Sequence, residues 1–216
     1  MNKGKNITII WPIVGIVLFV LLYFVASLFY PGGSQFDKGS IGFSWFHNYW
    51  CNLLNPIAIN DMPNHARPYA MMAHIVLCFS ILFFYWSVVP HIVPNRHRYF
   101  IRISALISCI ISLLLMTNLD HDLVSNWAAL FNVVSLTITM INLWKNQYFC
   151  LFYSGIFNFV IFVINAALYY HQEWIYFLPI VQKLSFAYFL LWICMVCLFI
   201  LRKVETKQIT MIDYSH

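Results

Sequence analysis

The chain has 216 residues, of which 62% are hydrophobic, 19% aromatic and only 9% charged, and its mean hydropathy is +0.76. A soluble domain of this length needs far more charge to cover its surface, so the composition excludes a soluble protein and indicates a membrane protein. The formal net charge of +5 is interpreted as a topology signal. We therefore expect membrane lipids, with anionic headgroups near the basic residues, as partners, and no nucleic acid.

Six apolar segments are each long enough to cross a bilayer as an α-helix, which takes about 20 residues. We interpret the first as a true span, because it is too long for the apolar part of a signal peptide and no convincing cleavage site follows it. The sequence therefore predicts a single all-α integral membrane domain, a six-transmembrane-helix bundle over residues 1–216. The predicted spans are 7–30, 69–89, 99–119, 123–144, 148–170 and 178–201.

The distribution of basic residues predicts the orientation of the bundle. Of the 12 Lys and Arg residues, only Lys38, Arg67 and Lys183 fall on the side opposite the termini, which leaves nine on the terminal side. Basic residues of short loops are retained in the cytoplasm. We therefore predict a multi-pass protein of a bacterial inner (plasma) membrane with cytoplasmic N- and C-termini.

The long outer loop, residues 31–68, contains the stretch FSWFHNYWCNLLNP from Phe43 to Pro56. Its aromatic residues, including Trp50, recur at helical spacing, and its polar residues, including His47, gather near the other face. This pattern predicts an uncharged amphipathic helix lying flat in the membrane interface. Such a helix could serve only as an anchor, or it could form a lid over an outward-facing pocket.

The fourth predicted span carries small and polar residues at three- and four-residue steps along its whole length. In a bilayer such residues mark the faces that pack or line a cavity, so this pattern predicts a polar seam that faces other helices. The third span is predicted to pack closely, because small residues recur at four-residue steps at Ser104, Ser108 and Ser112. The seam comprises Ser125, Ala128, Asn132, Ser135, Thr139 and Asn142.

Two ionisable residues, His74 and Lys183, lie about one turn inside apolar segments near the outer leaflet. Such groups usually face the protein interior or a watery cavity. Lys183 has two interpretations: it reaches the interface as a flexible cation, or it pairs with an acid of the outer side. The candidate acids are Asp120, Asp122 and Glu173. We expect His74 and Lys183 to converge with Asn132 and Asn165. This group would lie beneath Asp120, His121 and Asp122.

The turn between the third and fourth spans holds Asp120, His121 and Asp122. Asp122 directly precedes the fourth predicted span, so we expect its carboxylate to cap that helix. Asp120 and His121 then have no structural explanation. Together with His74 they are candidate ligands of zinc or a similar ion, or a candidate general base. Asparagines such as Asn158 have hydrogen bonding between helices as their simpler explanation.

The chain resembles uncharacterised bacterial six-helix membrane proteins of a domain-of-unknown-function family with relatives of the Frag/DRAM type. The resemblance rests on NYWCNLLNP, which ends at Pro56, and on LDHDLVSNWAAL, which starts at Leu119. It implies a compact bundle whose outer loop and third-to-fourth turn form a shared face, and it brings no established reaction. Relatives often carry a histidine where this chain has Ser125, which weakens a metal site built on the turn.

Two functions remain open from the sequence. One is a metal-assisted hydrolase acting on a lipid amide or ester, with Asp120, His121 and His74 as its catalytic or zinc-binding residues. The other is a non-catalytic protein for lipid or small-ligand binding, transport or an accessory role. In either case the expected ligand-binding residues are Asn132, Asn158, Asn165, Lys183, Asp122, His47 and Trp50.

Overall fold

A computed structural model describes residues 3–117 and 119–213. Six of its helices are long and apolar enough to cross a membrane, which confirms the predicted number of long apolar helices, and the described part of the chain contains no strand. The helices are α1 (Lys3–Leu28), α2 (Arg67–Phe83), α3 (Asn95–Leu113), α4 (His121–Lys145), α5 (Phe149–Tyr170) and α6 (Leu178–Asp213).

Several helices extend beyond the predicted apolar windows where polar residues still support a helix, whereas α1 ends at Leu28 and α3 at Leu113, before the predicted ends at 30 and 119. α2 continues through a π-helical turn, Phe84–Val88, and a 3-10 turn, Val89–His91. α3 begins directly after Pro94, whose extended backbone starts the helix in a charged segment that a hydropathy window leaves out. α6 runs past Leu201 because good helix formers follow its apolar part.

The six helices form a ring in chain order. Each of α1 to α3 packs against its successor, α5 packs against α6, and α6 returns to α1, whereas α4 and α5 pack against each other least. We call the half of the ring nearest the connection between α1 and α2 the loop-side half, and the opposite half the terminal half. The looser contact between α4 and α5 bears on access to the site described below.

Large side chains fill the terminal half of the ring. Trp192 is completely buried and its Nε1 donates a hydrogen bond to the Leu151 carbonyl at 2.9 Å. Phe84 packs edge-on against Trp192 at 6.1 Å, and Tyr85 and Ile193 are buried beside it. The cavity described below lies on the loop side of this core.

Hydroxyl groups join α3 to α4, as the serine spacing predicted. Ser108 Oγ donates to the Ala128 carbonyl at 2.8 Å and Ser135 Oγ donates to the Ile101 carbonyl at 3.1 Å. Thr139 and Ser135 are completely buried. The predicted seam of α4 therefore faces other helices, and its small side chains allow close approach.

The predicted amphipathic helix of the outer loop is wrong for most of its length. Turns occupy residues 45–47, and only Trp50–Leu54 is helical, as a 3-10 turn. Side chains from other segments take the backbone groups that a longer helix would bond internally: Tyr23 Oη donates to the Trp50 carbonyl at 3.0 Å, and Lys183 Nζ donates to the Asn48 carbonyl. The segment instead forms a compact roof over the ring.

Asn64 holds this roof in place. Its Nδ2 donates to the carbonyls of Asn52 at 3.1 Å, Leu53 at 3.2 Å and Asn55 at 2.8 Å, while its Oδ1 accepts from the Ala66 N–H at 3.1 Å. The carbonyls at the end of the 3-10 turn are thus satisfied by one side chain. Such satisfaction is needed because buried, unpaired backbone groups are costly.

Candidate functional site

A cavity of about 400 Å³ lies at the centre of the loop-side half. All six helices contribute to its wall, and Trp50, Cys51 and Leu54 of the roof line it as well. Most of the lining is aliphatic, aromatic or small, with a few polar side chains. No Lys, Arg, Asp or Glu of the described residues belongs to this lining.

His74 lines the cavity and joins α2 to α3. Its Nε2 lies 2.8 Å from the Ser112 carbonyl, 3.2 Å from Ser112 Oγ and 3.6 Å from Cys78 Sγ. A carbonyl oxygen only accepts, so Nε2 carries the hydrogen and donates it. In this arrangement Nε2 is occupied by a structural bond and offers no lone pair to a metal ion or a proton.

The two carboxylates of the outer turn, those of Asp120 and Asp122, have different roles from the predicted ones. Asp120 is the N-cap of α4, because its Oδ1 accepts from the Leu123 N–H at 2.7 Å. The prediction that Asp122 caps the helix is wrong, because α4 begins at His121, two residues before the start that a cap at Asp122 requires. Asp122 instead accepts a hydrogen bond from Tyr169 Oη of α5 at 2.6 Å, and its Oδ1 lies 3.5 Å from His121 Nδ1.

Lys183 supports the roof. Its Nζ donates to the Asn48 and Pro179 carbonyls, the latter at 2.9 Å, and lies 5.7 Å from the centre of the Phe43 ring. Within residues 3–117 and 119–213, no ion pair joins Lys183 to a carboxylate. Lys183 thus donates to backbone carbonyls and not to one of the predicted acids, and its position at the membrane interface stays a prediction.

The three predicted asparagines lie at different places. Asn132 lines the cavity, and its Oδ1 accepts from Tyr85 Oη at 3.2 Å. Asn158 also lines it, and its Nδ2 donates to the Ser154 carbonyl at 3.4 Å. Asn165 lies outside the lining and its Nδ2 donates to Ser185 Oγ. The predicted convergence thus holds for His74, Asn132 and His121, and it fails for Asn165 and Lys183.

The two predicted residues of the outer loop, His47 and Trp50, also lie in different places. His47 is not part of the cavity: its Nε2 lies 2.7 Å from Tyr176 Oη in an exposed contact. Trp50 lies in the lining and stacks on Tyr23, with ring centres 4.6 Å apart and planes 20° apart. The Trp50 backbone N–H donates to Gln182 Oε1 at 3.3 Å, whereas its indole Nε1 is buried and has no hydrogen-bond partner.

Cys51 adds an uncharged group to the roof of the cavity. Burial raises the pKa of its thiol to about 11, so the thiol stays protonated at neutral pH. A buried protonated thiol behaves as a small, weakly polar group. Cys51 therefore belongs with the apolar part of the lining.

The described residues contain no group of three or more His, Cys, Asp or Glu side chains placed to hold a metal ion. His74 bonds to α3, Asp120 caps α4, and His121 lies beside Asp122. The donor set expected from the sequence is thus dispersed into separate interactions. We derive no step through a metal.

Sequence reasoning missed several residues that shape the site. Gln182 and Tyr169 were not among the predicted site residues, and Ser112 was predicted only as a packing residue of the third span. For Ser112 a signal existed: it lies as far from the loop side along α3 as His74 does along α2. Tyr169 carried no signal that separates it from interfacial tyrosines.

The cavity reaches the outer surface of the ring between α4 and α5. Phe162 of α5 belongs to its lining, yet 51% of this residue is exposed. This is also the pair of helices that packs least. The Tyr169–Asp122 hydrogen bond joins the same two helices at the loop-side end, so the opening lies beneath it.

Comparisons of this chain with protein-family models, with curated proteins and with solved structures gave no match. The resemblance inferred from the sequence therefore stays a prediction. The function has to be argued from the cavity itself.

Proposed function

We propose that this protein binds an apolar or amphiphilic molecule, taken from the bilayer, in its central cavity. The observation that carries the proposal is the cavity of about 400 Å³ at the centre of six apolar helices. Ligand pockets typically measure about 300–1,000 Å³ and combine a mainly apolar lining with a few polar groups. The cavity fits both descriptions.

The position of the opening supports the bilayer as the source of the ligand. The roof covers the loop side with Trp50 and Leu54, and the core around Trp192 fills the terminal half. The exposed lining residue Phe162 lies on an apolar helix, which would face lipid chains. A molecule already dissolved in the membrane would reach the cavity between α4 and α5 without crossing water.

The metal-assisted hydrolase is the second candidate from the sequence and has less support. Two of its three proposed residues are engaged: His74 Nε2 donates to the Ser112 carbonyl, and Asp120 accepts from the α4 backbone. Binding needs neither residue to be free. We therefore place the non-catalytic function first.

For the location of the protein we propose an inner membrane, with both termini in the cytoplasm and the roof outside. The proposal rests on the excess of Lys and Arg on the terminal side. A reporter fused after Asn146 is expected to show cytoplasmic behaviour. Periplasmic behaviour at this site would contradict the orientation.

Filling the cavity is expected to abolish binding. Ala129 lies in the lining on α4, so Ala129→Trp places a large ring in the space that the ligand would occupy. We expect the affinity of purified protein for a tritiated long-chain probe, methyl palmitate, to fall at least about tenfold, which corresponds to about 1.4 kcal/mol.

The matched control is Ala167→Trp, which adds the same ring to α5 at an exposed position outside the lining. This variant is expected to bind like the wild type. Equal affinity in the wild type and the Ala129→Trp variant would contradict the proposal, provided that both elute as the same folded species.

A further inference from the structure

The cavity lining carries no fixed charge. Its ionisable groups are the imidazoles of His74 and His121, the phenol of Tyr23 and three thiols, and no Lys, Arg, Asp or Glu of the described chain is present. Placing an unpaired ion in an apolar site costs several kcal/mol or more. The part of a ligand inside the cavity must therefore be uncharged.

One strong donor in the lining is left without an acceptor. Trp50 Nε1 is buried and forms no hydrogen bond, and an indole nitrogen can only donate. Buried donors are nearly always paired, so each exception needs an explanation. The Trp50 ring is held in place by Phe19 at 5.6 Å, Tyr23 at 4.6 Å and Phe186 at 5.3 Å.

Two amides of the lining also present donors. Gln182 Oε1 accepts from the Trp50 backbone N–H, and Asn132 Oδ1 accepts from Tyr85 Oη. Because an amide has one oxygen and one amino group, these bonds direct the oxygens to the protein and leave the amino groups for a ligand. Asn158 is the exception, since its Nδ2 donates to the Ser154 carbonyl and leaves its oxygen as an acceptor.

We propose that the ligand is an uncharged long-chain ester or amide whose carbonyl oxygen accepts a hydrogen bond from Trp50 Nε1. This inference rests on the proposed binding function and adds the class of the ligand. The hydrocarbon chain lies among the apolar residues of the lining. The carbonyl lies beneath the roof, where it satisfies the buried indole donor.

The test compares three probes that share a 16-carbon chain and differ in the polar end. Methyl palmitate has an uncharged carbonyl, hexadecane has no acceptor, and hexadecyl sulfate has acceptors with a permanent charge. Each probe competes with tritiated methyl palmitate for the purified protein in detergent. Probe concentrations are expressed as measured mole fractions in the micelle, so differences in micelle partitioning do not enter the comparison of probes.

The informative variant is Trp50→Phe, which keeps an aromatic ring and removes the indole donor. The matched control is Trp127→Phe, at an exposed position of α4 outside the lining. We expect the wild type to prefer methyl palmitate over both other probes. The Trp50→Phe variant should bind methyl palmitate about two- to tenfold more weakly, the effect of one hydrogen bond, and hexadecane unchanged.

The outcomes separate this inference from the proposed function. If all three probes bind the wild type equally, if hexadecyl sulfate binds best, or if Trp50→Phe keeps the preference for the ester, the ligand class is wrong while binding in the cavity stands. If no probe binds the wild type, both proposals fail. Should Trp50→Phe not fold, the comparison of ester and alkane on the wild type still decides.

Discussion

Replacing Asn64 with leucine is expected to destabilise the protein by about 3 kcal/mol or more, the largest effect of any single change proposed. Leucine has a similar size but makes no hydrogen bond. The variant leaves the carbonyls of Asn52, Leu53 and Asn55 and the N–H of Ala66 without their present partner. Each buried unpaired group costs about 1–3 kcal/mol, and some of them would find water.

The effect of Asn64→Leu is measured by thermal unfolding in detergent and by limited proteolysis of the outer loop. We expect a lower melting temperature and faster cleavage within residues 29–66. The control is Asn55→Leu, an exposed position of the same loop, which should behave like the wild type. Equal stability of the Asn64 variant and the wild type would contradict the role given to Asn64.

Replacing Gly15 with leucine is expected to separate α1 from α2 and to destabilise the bundle by about 3 kcal/mol. A Cβ at Gly15 would lie 1.9 Å from Ser80 Oγ and 3.0 Å from Ser80 Cβ, well inside van der Waals contact. Ser80 is buried and its Oγ donates to the Val76 carbonyl at 2.6 Å. Overpacking at a tight crossing of this kind commonly costs about 1–3 kcal/mol, and more where the backbone must move.

Thermal unfolding of four proteins tests the crossing: the wild type, Gly15→Leu, the smaller Gly15→Ala, and Gly15→Ala with Ser80→Gly. Removing the Ser80 side chain should recover most of the stability lost in Gly15→Ala, since the clash lies with that side chain alone. Val17→Leu, at an exposed position of α1, serves as the control. A melting temperature of Gly15→Leu equal to that of the wild type would contradict the close approach.

The six helices could be predicted from the sequence because each span is set by local composition. Any segment in a bilayer must satisfy its own backbone, and about 20 apolar residues in a helix do so. The seam of α4 was equally accessible, because Ser135 and Thr139 recur at helical spacing whatever they face. Hydropathy did not define the helix ends, because polar residues, such as those after Pro94, still belong to the helix.

The roof could not be predicted, because its backbone is bonded by side chains distant in the sequence. Tyr23 donates to the Trp50 carbonyl, which is 27 positions away in the sequence. Lys183 donates to the Asn48 carbonyl, which is 135 positions away. Those contacts override the helical spacing of the aromatic residues. The capping error at α4 has a smaller cause, a helix start two residues earlier than predicted, which makes Asp120 the cap in place of Asp122.

The site was predicted in part. His74 and Asn132 lie on the cavity as expected from their depth in the spans. Lys183 was expected either to reach the interface or to pair with a carboxylate, yet it donates to backbone carbonyls, and no sequence pattern marks such acceptors. The unpartnered indole of Trp50 is likewise visible only once the whole environment of the ring is known.

The central claim is that the cavity holds a membrane-derived molecule. Its most direct test is native mass spectrometry of the protein, purified in mild detergent from its own membrane. The wild type and Ala167→Trp are expected to carry one uncharged adduct of lipid mass, and Ala129→Trp is expected to carry none. The same adduct on Ala129→Trp, or no adduct on the wild type, would contradict the claim.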